Sequence, residues 1–138
     1  MDGLRPGVKK TIAALRADGA RVVMTTGDHP VTAEALAKQS GIFLDSTKDG
    51  NKRVIWGHKI DAGTLDECFE EGNEVVLGRL TPEQKLLVVQ TLQRRSEGAV
   101  MYVGDGLNDS AAVRAADVGV AMGIQGCDIV KSVLGFRV

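Results

Sequence analysis

The string Gly104-Asp105-Gly106-Leu107-Asn108-Asp109-Ser110 follows the apolar run Val100–Val103, so carboxylates and an amide stand just past a buried-strand pattern. Open α/β sheets bind ligands at the carboxyl ends of their strands, and carboxylates in such a turn suit a divalent metal together with phosphate oxygens. Asp105 is the expected ligand of a hard cation such as Mg2+. Asn108 is placed to donate to phosphate, and Asp109 to orient Lys85 or Asn108 or to reach the metal through water. Further polar strings end two other strand patterns, Thr25-Thr26-Gly27-Asp28 and Gly78-Arg79. Thr26 and the amides around Gly27 suit phosphate oxygens, because a small hydroxyl and an unhindered turn let the main chain approach an anion. Lys85, early in a capped helix, supplies a compact positive charge. Arg79 reads either as an ordinary strand-end charge or as a phosphate or nucleotide contact. Taken singly, a Thr-Gly-Asp string is a turn and Lys85 a solvated helix residue. Their order on successive strand ends is what makes them a candidate site.

The elements that must hold these residues alternate between helix and strand. Pro6 suits a first helical turn, Val8, Ile12 and Leu15 recur at helical spacing, and Gly19 closes that helix. Arg21–Met24 reads as a buried strand and Thr32–Gln39 as a helix ended by Gly41. Thr64 with Glu67, and Thr81 with Gln84, have capping-box spacing, and Pro82 stands at the first helical position of the second. Glu74–Leu77, Ala99–Val103 and Val118–Met122 read as strands, with helices over Pro82–Arg94 and Ser110–Ala116. This alternation predicts an α/β fold, a mostly parallel sheet with helices on both faces, whose strand ends converge on one edge. The polar stretch Phe43–Lys59 reads as a surface loop or small hairpin. His29, before Pro30, reads as a turn residue, and Met24, Met101 and Met122 as core packing.

The 138 residues, 43% hydrophobic and 25% charged with a formal net charge of −1, describe one globular domain and argue against disorder or nucleic-acid binding. No apolar stretch approaches the roughly 18 residues of a membrane span. Cys68 and Cys127 lack C-x-x-C spacing and read as reduced thiols. A Walker-type phosphate loop is absent, and Gly104-x-Gly106 does not continue as a dinucleotide fingerprint.

The strings TGDHPVTAEALAKQSGI, RLTPEQK and VGDGLNDSAAVRAADVGVAMG closely resemble the phosphorylation domain of P-type cation-transporting ATPases, within the haloacid-dehalogenase superfamily. HPVTA, RLTPEQK and VIWGHKI are most similar to the sodium/potassium and proton/potassium pump branch. The resemblance runs from about Asp2 to Lys131 and implies a Rossmann-like fold that works with Mg2+ and ATP. It assigns Thr26, Gly27 and Asp28 to the motif that meets the phosphoryl group and nucleotide, Lys85 to the lysine that neutralises phosphoryl charge, and Arg79 to the nucleotide side. Asp105 falls on the magnesium carboxylate, and Asn108 and Asp109 complete that motif, with Asp109 a further metal candidate. Asp2 with Arg5 resembles a DPPR segment in which Gly3 and Leu4 replace both prolines.

One departure is large: the family's nucleophile lies in a DKTGT string on a central strand, and this sequence contains no such string. The resemblance therefore implies that residues 1–138 form the carboxyl-terminal part of a phosphorylation domain, cut at both ends, with its central strand missing and a polar insertion at about 43–60. Its expected partners are the rest of a pump: a nucleotide-binding domain, the DKTGT strand and membrane helices. The parent would lie at the cytosolic face of a membrane, and the isolated chain would be soluble and unable to form an aspartyl phosphate. An alternative is a non-catalytic Mg2+- or phosphate-binding module acting with a partner chain. A standalone phosphatase using Asp28 is disfavoured, since no Asp-x-Asp nucleophile string occurs.

Overall fold

The computed structural model describes residues 6–95, 98–104 and 109–121, which divide into two compact units meeting at Leu80 and Thr81. The first unit contains α1 (Val8–Ala17), β1 (Met24–Thr25), α2 (Pro30–Ser40), β2 (Lys52–Trp56), α3 (Ala62–Cys68) and β3 (Glu74–Gly78). Its three strands are parallel in the order β1-β3-β2, with Met24 opposite Val76 and Lys52 through Trp56 opposite Glu74 through Gly78. The central strand β3 is buried throughout. Val76 packs with Ala33 and Ala37 of α2 and with Ile42 and Phe43, while Val75 and Leu77, pointing to the opposite face, are also buried. Small residues on α2 let it lie close to the sheet, and Gly78 is required there: a Cβ would come within 2.8 Å of the Pro30 ring. Glu74 begins the central strand as a buried carboxylate, neutralised by Arg16 at 2.6 Å and accepting from the Leu44 amide at 3.0 Å.

Several local outcomes differ from the sequence expectations. The ladder of β1 starts only at Met24, and Arg21 and Val22 before it line a cleft of about 390 Å³ with Arg16, Thr47, Asn73 and Glu74. The polar stretch over 43–59 is no hairpin, since Lys52–Trp56 form a half-buried strand parallel to β3, with α3 as part of the crossover between them. The helix expected to begin at Thr64 is instead capped by Asp61, whose Oδ1 accepts from the Thr64 amide at 2.8 Å and from its hydroxyl at 2.9 Å. Those bonds, the amide foremost, hold the Asp61 carboxyl below its usual range. Pro6 precedes α1, which Gly7 caps; α2 opens at Pro30 rather than Thr32, with His29 as its cap; and Met101, read as core, is 60% exposed. Gly41 ends α2 at φ 86°, with the Phe43 amide reaching back to the Ala37 carbonyl.

The second unit contains α4 (Pro82–Arg95), β4 (Met101–Gly104), α5 (Ser110–Ala115) and β5 (Val118–Ala121). Thr81 and Gln84 exchange both bonds of a capping box, at 3.0 and 3.2 Å, and Pro82 opens α4 as expected. The strands β4 and β5 pair in parallel, Met101 opposite Val118. Val89, Val100 and Ala112 form the core here, with Leu92, Tyr102, Ala115 and Ala116 against it. Asp117 accepts from the Val100 amide at 2.9 Å and so fixes the approach to β4. Among the described residues, no helix is long and apolar enough to cross a membrane.

Candidate functional site

In the first unit the strand ends gather Thr26, Gly27, Asp28 and Arg79. The Thr26 amide donates to the Leu77 carbonyl at 3.0 Å, extending the ladder past β1. The chain beyond β3 then turns back onto the same loop. The Arg79 amide donates to the Asp28 carbonyl and the Leu80 amide to the Thr26 carbonyl, both at 3.1 Å. Thr26 is half-buried, and its Oγ1 accepts from the Asp28 amide at 3.0 Å, which leaves the hydroxyl proton to donate outward. Gly27 and Asp28 are exposed. The result is a hydrogen-bonded, solvent-facing turn joined through the backbone to the exposed Arg79, and such a turn can receive an anion's oxygens.

The strand ends of this unit also hold Trp56, which sequence reasoning left aside, against Arg79 and His29. Arg79 has φ 55°, and among the described residues it is the only non-glycine with positive φ. Its guanidinium lies 6.0 Å from the centre of the Trp56 ring, and Trp56 meets the His29 ring edge-on at 4.5 Å. His29 itself caps α2, its Nδ1 accepting from the Val31 amide at 3.2 Å. In the sequence Trp56 is the one tryptophan of the chain, but before Gly57 in a short apolar run it looks like packing.

The second unit brings Lys85 and Asp109 together. Lys85 Nζ donates to Asp109 Oδ1 at 2.8 Å, and both residues are buried. Tyr102 Oη donates to the same oxygen at 3.1 Å. Asp109 stands at the amino-terminal cap of α5 yet makes no capping bond with its side chain, because its carboxylate is turned to the buried ammonium. That turn depends on Gly104, where a Cβ would come within 2.6 Å of the Asp109 Cβ. Tyr102 sits in an apolar strand run and reads from sequence as core. Its phenol contact had no sequence signal.

Asp105, Gly106 and Asn108 lie outside the described residues, as do Asp2, Arg5, Met122 and Cys127. Among the described residues no group of three or more His, Cys, Asp or Glu side chains could hold a metal ion. Cys68 is buried, which pushes its thiol pKa up and makes it a poor nucleophile.

The family model for haloacid dehalogenase-like hydrolases matches residues 1–117. The sodium/potassium-transporting ATPase subunit alpha-B of Artemia franciscana is 38% identical over 154 aligned residues, and subunits alpha-4 of Rattus norvegicus and alpha-3 of Homo sapiens are each 37% identical. Each alignment covers 95% of this chain, which spans only 15% of the length of these relatives. The solved catalytic domain of the CPx-ATPase CopB-B superposes with a TM-score of 0.64 at 26% identity, over 94% of this chain and 38% of that one.

Proposed function

We propose a function from one premise: the chain belongs to the haloacid dehalogenase-like hydrolases, and it is homologous to the catalytic region of P-type ATPase alpha subunits. Residues 1–138 are the carboxyl-terminal part of the phosphorylation domain of an ATP-driven cation pump. The part contributes Mg2+-, phosphoryl- and nucleotide-binding residues to ATP hydrolysis coupled to ion transport.

The observation that carries this reading is the buried Lys85–Asp109 pair. Replacing a buried ion pair by apolar residues is often neutral or stabilising, so a chain that keeps one has a use for the charge. Lys85 would neutralise the oxygens of a transferring phosphoryl group, with Asp109 holding the ammonium and Tyr102 donating to Asp109. Thr26 would donate its hydroxyl to the same group. Gly27, Asp28 and Arg79 would meet the nucleotide, and Asn108 would donate its amide to phosphate. A carboxylate in a Gly-Asp-Gly turn has the donor chemistry of a hard-cation site, and Asp105 would be the direct ligand of Mg2+, with Asp109 a further candidate. The bound cation supplies charge neutralisation at the phosphate oxygens. The covalent acceptor would come from the DKTGT strand of the pump, beside its nucleotide-binding domain and membrane helices, at the cytosolic face. Positioned charge without that acceptor leaves this chain alone unable to be phosphorylated.

The absence of a DKTGT string favours one second reading, a non-catalytic Mg2+- or phosphate-binding module that acts with a partner chain. Calorimetric titration of the chain with Mg2+ and ATP, followed by acid quench with labelled ATP, tests the proposal. Binding weakened more by Asp105→Asn than by Asp109→Asn, with no acyl phosphate, is expected. A hydroxylamine-sensitive phosphate adduct on this chain, or the absence of Mg2+ and ATP binding, would contradict it.

A further inference from the structure

We propose that Trp56 is the positioning residue for Arg79, and that the two make a receptor for the phosphate chain of a nucleoside polyphosphate; this rests on the nucleotide reading above. Arg79 is exposed, and exposed arginines ordinarily sample many rotamers in water. Here both ends of the residue are fixed. Its backbone is held in the left-handed region, φ 55°, by the bond from its amide to the Asp28 carbonyl at 3.1 Å. Its guanidinium lies over the half-buried Trp56 ring at 6.0 Å. The indole is in turn fixed by His29, edge-on at 4.5 Å with the ring planes at 84°, and His29 by the Val31 amide. A continuous series of contacts thus runs from the start of α2 to the guanidinium.

The kind of partner matters more than its presence. A carboxylate would occupy the N–H edges of the guanidinium and cancel its charge, whereas an aromatic face attracts the cation and leaves those edges open. Among the described residues Arg79 forms no salt bridge. A strained backbone, a charge held but not neutralised, and the open Gly27 turn in the loop to which the Arg79 amide is bonded describe a preorganised anion receptor. Phosphate oxygens match the planar donor fork, and a polyphosphate can span guanidinium and turn together.

The chain's single tryptophan reports on the site directly. With Mg2+ present, ATP and tripolyphosphate should change Trp56 emission and adenosine should not. Calorimetry on the full chain should show Trp56→Leu weakening both anions about two- to fivefold, as for a partly exposed cation–π contact, with Trp56→Phe weakening them less. In an Arg79→Gln background, Trp56→Leu should have no further effect. Circular dichroism verifies that each variant is folded; should Trp56→Leu not fold, the contrast between Trp56→Phe alone and in the Arg79→Gln background decides. Unchanged affinity in the tryptophan variants, penalties that multiply in the double variant, or an emission response to adenosine alone would overturn the proposal while leaving the nucleotide reading intact. A folded wild-type chain that binds neither ATP nor tripolyphosphate would overturn both.

Discussion

β3 of the first unit and β4 of the second are both short parallel strands, rich in apolar residues and ending in glycine, yet their surroundings differ. β3 has a strand on each edge and is buried at every position, whereas Met101 and Val103 of β4 are 60% and 53% exposed and, among the described residues, β4 pairs with β5 alone. Parallel strands with continuous apolar runs are normally covered on both faces. The contrast teaches that an apolar run records the environment a strand is suited to, which a given chain need not supply. In the reading proposed above, the remainder of a pump covers β4. The buried charges follow the same division: Glu74 is bound by Arg16 and a backbone amide at the base of β3, while Lys85 and Asp109 hold each other near the end of β4.

Stripping the second unit of its internal ion pair has the largest expected effect. Asp109→Ala leaves the Lys85 ammonium buried without its partner and should destabilise by roughly 3–5 kcal/mol. The double replacement Lys85→Met with Asp109→Leu should recover most of that loss. Urea unfolding, followed through Tyr102, the one tyrosine of the chain, measures both. An Asp109→Ala variant as stable as the parent would mean that the pair adds nothing to the fold.

Next in size is a direct test of the two strands. Leu77→Ala empties a fully buried site in β3 and should destabilise by about 2–5 kcal/mol, whereas Val103→Ala in β4 should stay within about 0.5 kcal/mol. A peptide carrying the pump's DKTGT strand should narrow that gap by covering β4, raising the melting temperature and making Val103→Ala costly. Indifference to the peptide, beside a scrambled control, would show that β4 needs no further strand.

The smallest effect sharpens the first unit alone. The folded Asp61 carboxyl is held below its usual range by the Thr64 amide, then by its hydroxyl. Its contribution is therefore present above the ordinary carboxylate range near about pH 4 and is lost as pH falls through the lower, folded value. Stability measured across that acid window should fall less steeply in Asp61→Asn than in the parent, and an identical slope would remove the cap from the account.

Much of this was readable where the determining interaction is local. The Thr81–Gln84 box and the Gly41 stop are decided within a few residues, and both elements stand where their signals put them. At Asp61 a second capping residue stood three positions before Thr64, and nothing local distinguished the two. The strand β2 escaped notice because its apolar residues follow Lys52 and Arg53 and its burial is only partial; its identity depends on pairing with β3, a contact across 22 residues of sequence. The Lys85–Asp109 pair is separated by 24 positions and was legible from the strand-end pattern as one of several options for Asp109. Trp56 and Tyr102 had no such guide, since an aromatic ring in an apolar run looks like packing until its neighbours are known.

The central claim is that this chain is the Mg2+- and phosphoryl-binding part of a P-type ATPase phosphorylation domain, lacking only what the rest of the pump supplies. Substituting it for the homologous segment of a sodium/potassium-transporting ATPase alpha subunit, then assaying the membranes with labelled ATP and acid quench, tests that claim most directly. The account predicts an acid-stable, hydroxylamine-sensitive phosphoenzyme that is strongly reduced by Lys85→Met and by Asp105→Asn. A chimera that reaches the membrane and binds ATP, yet forms no phosphoenzyme, would contradict it.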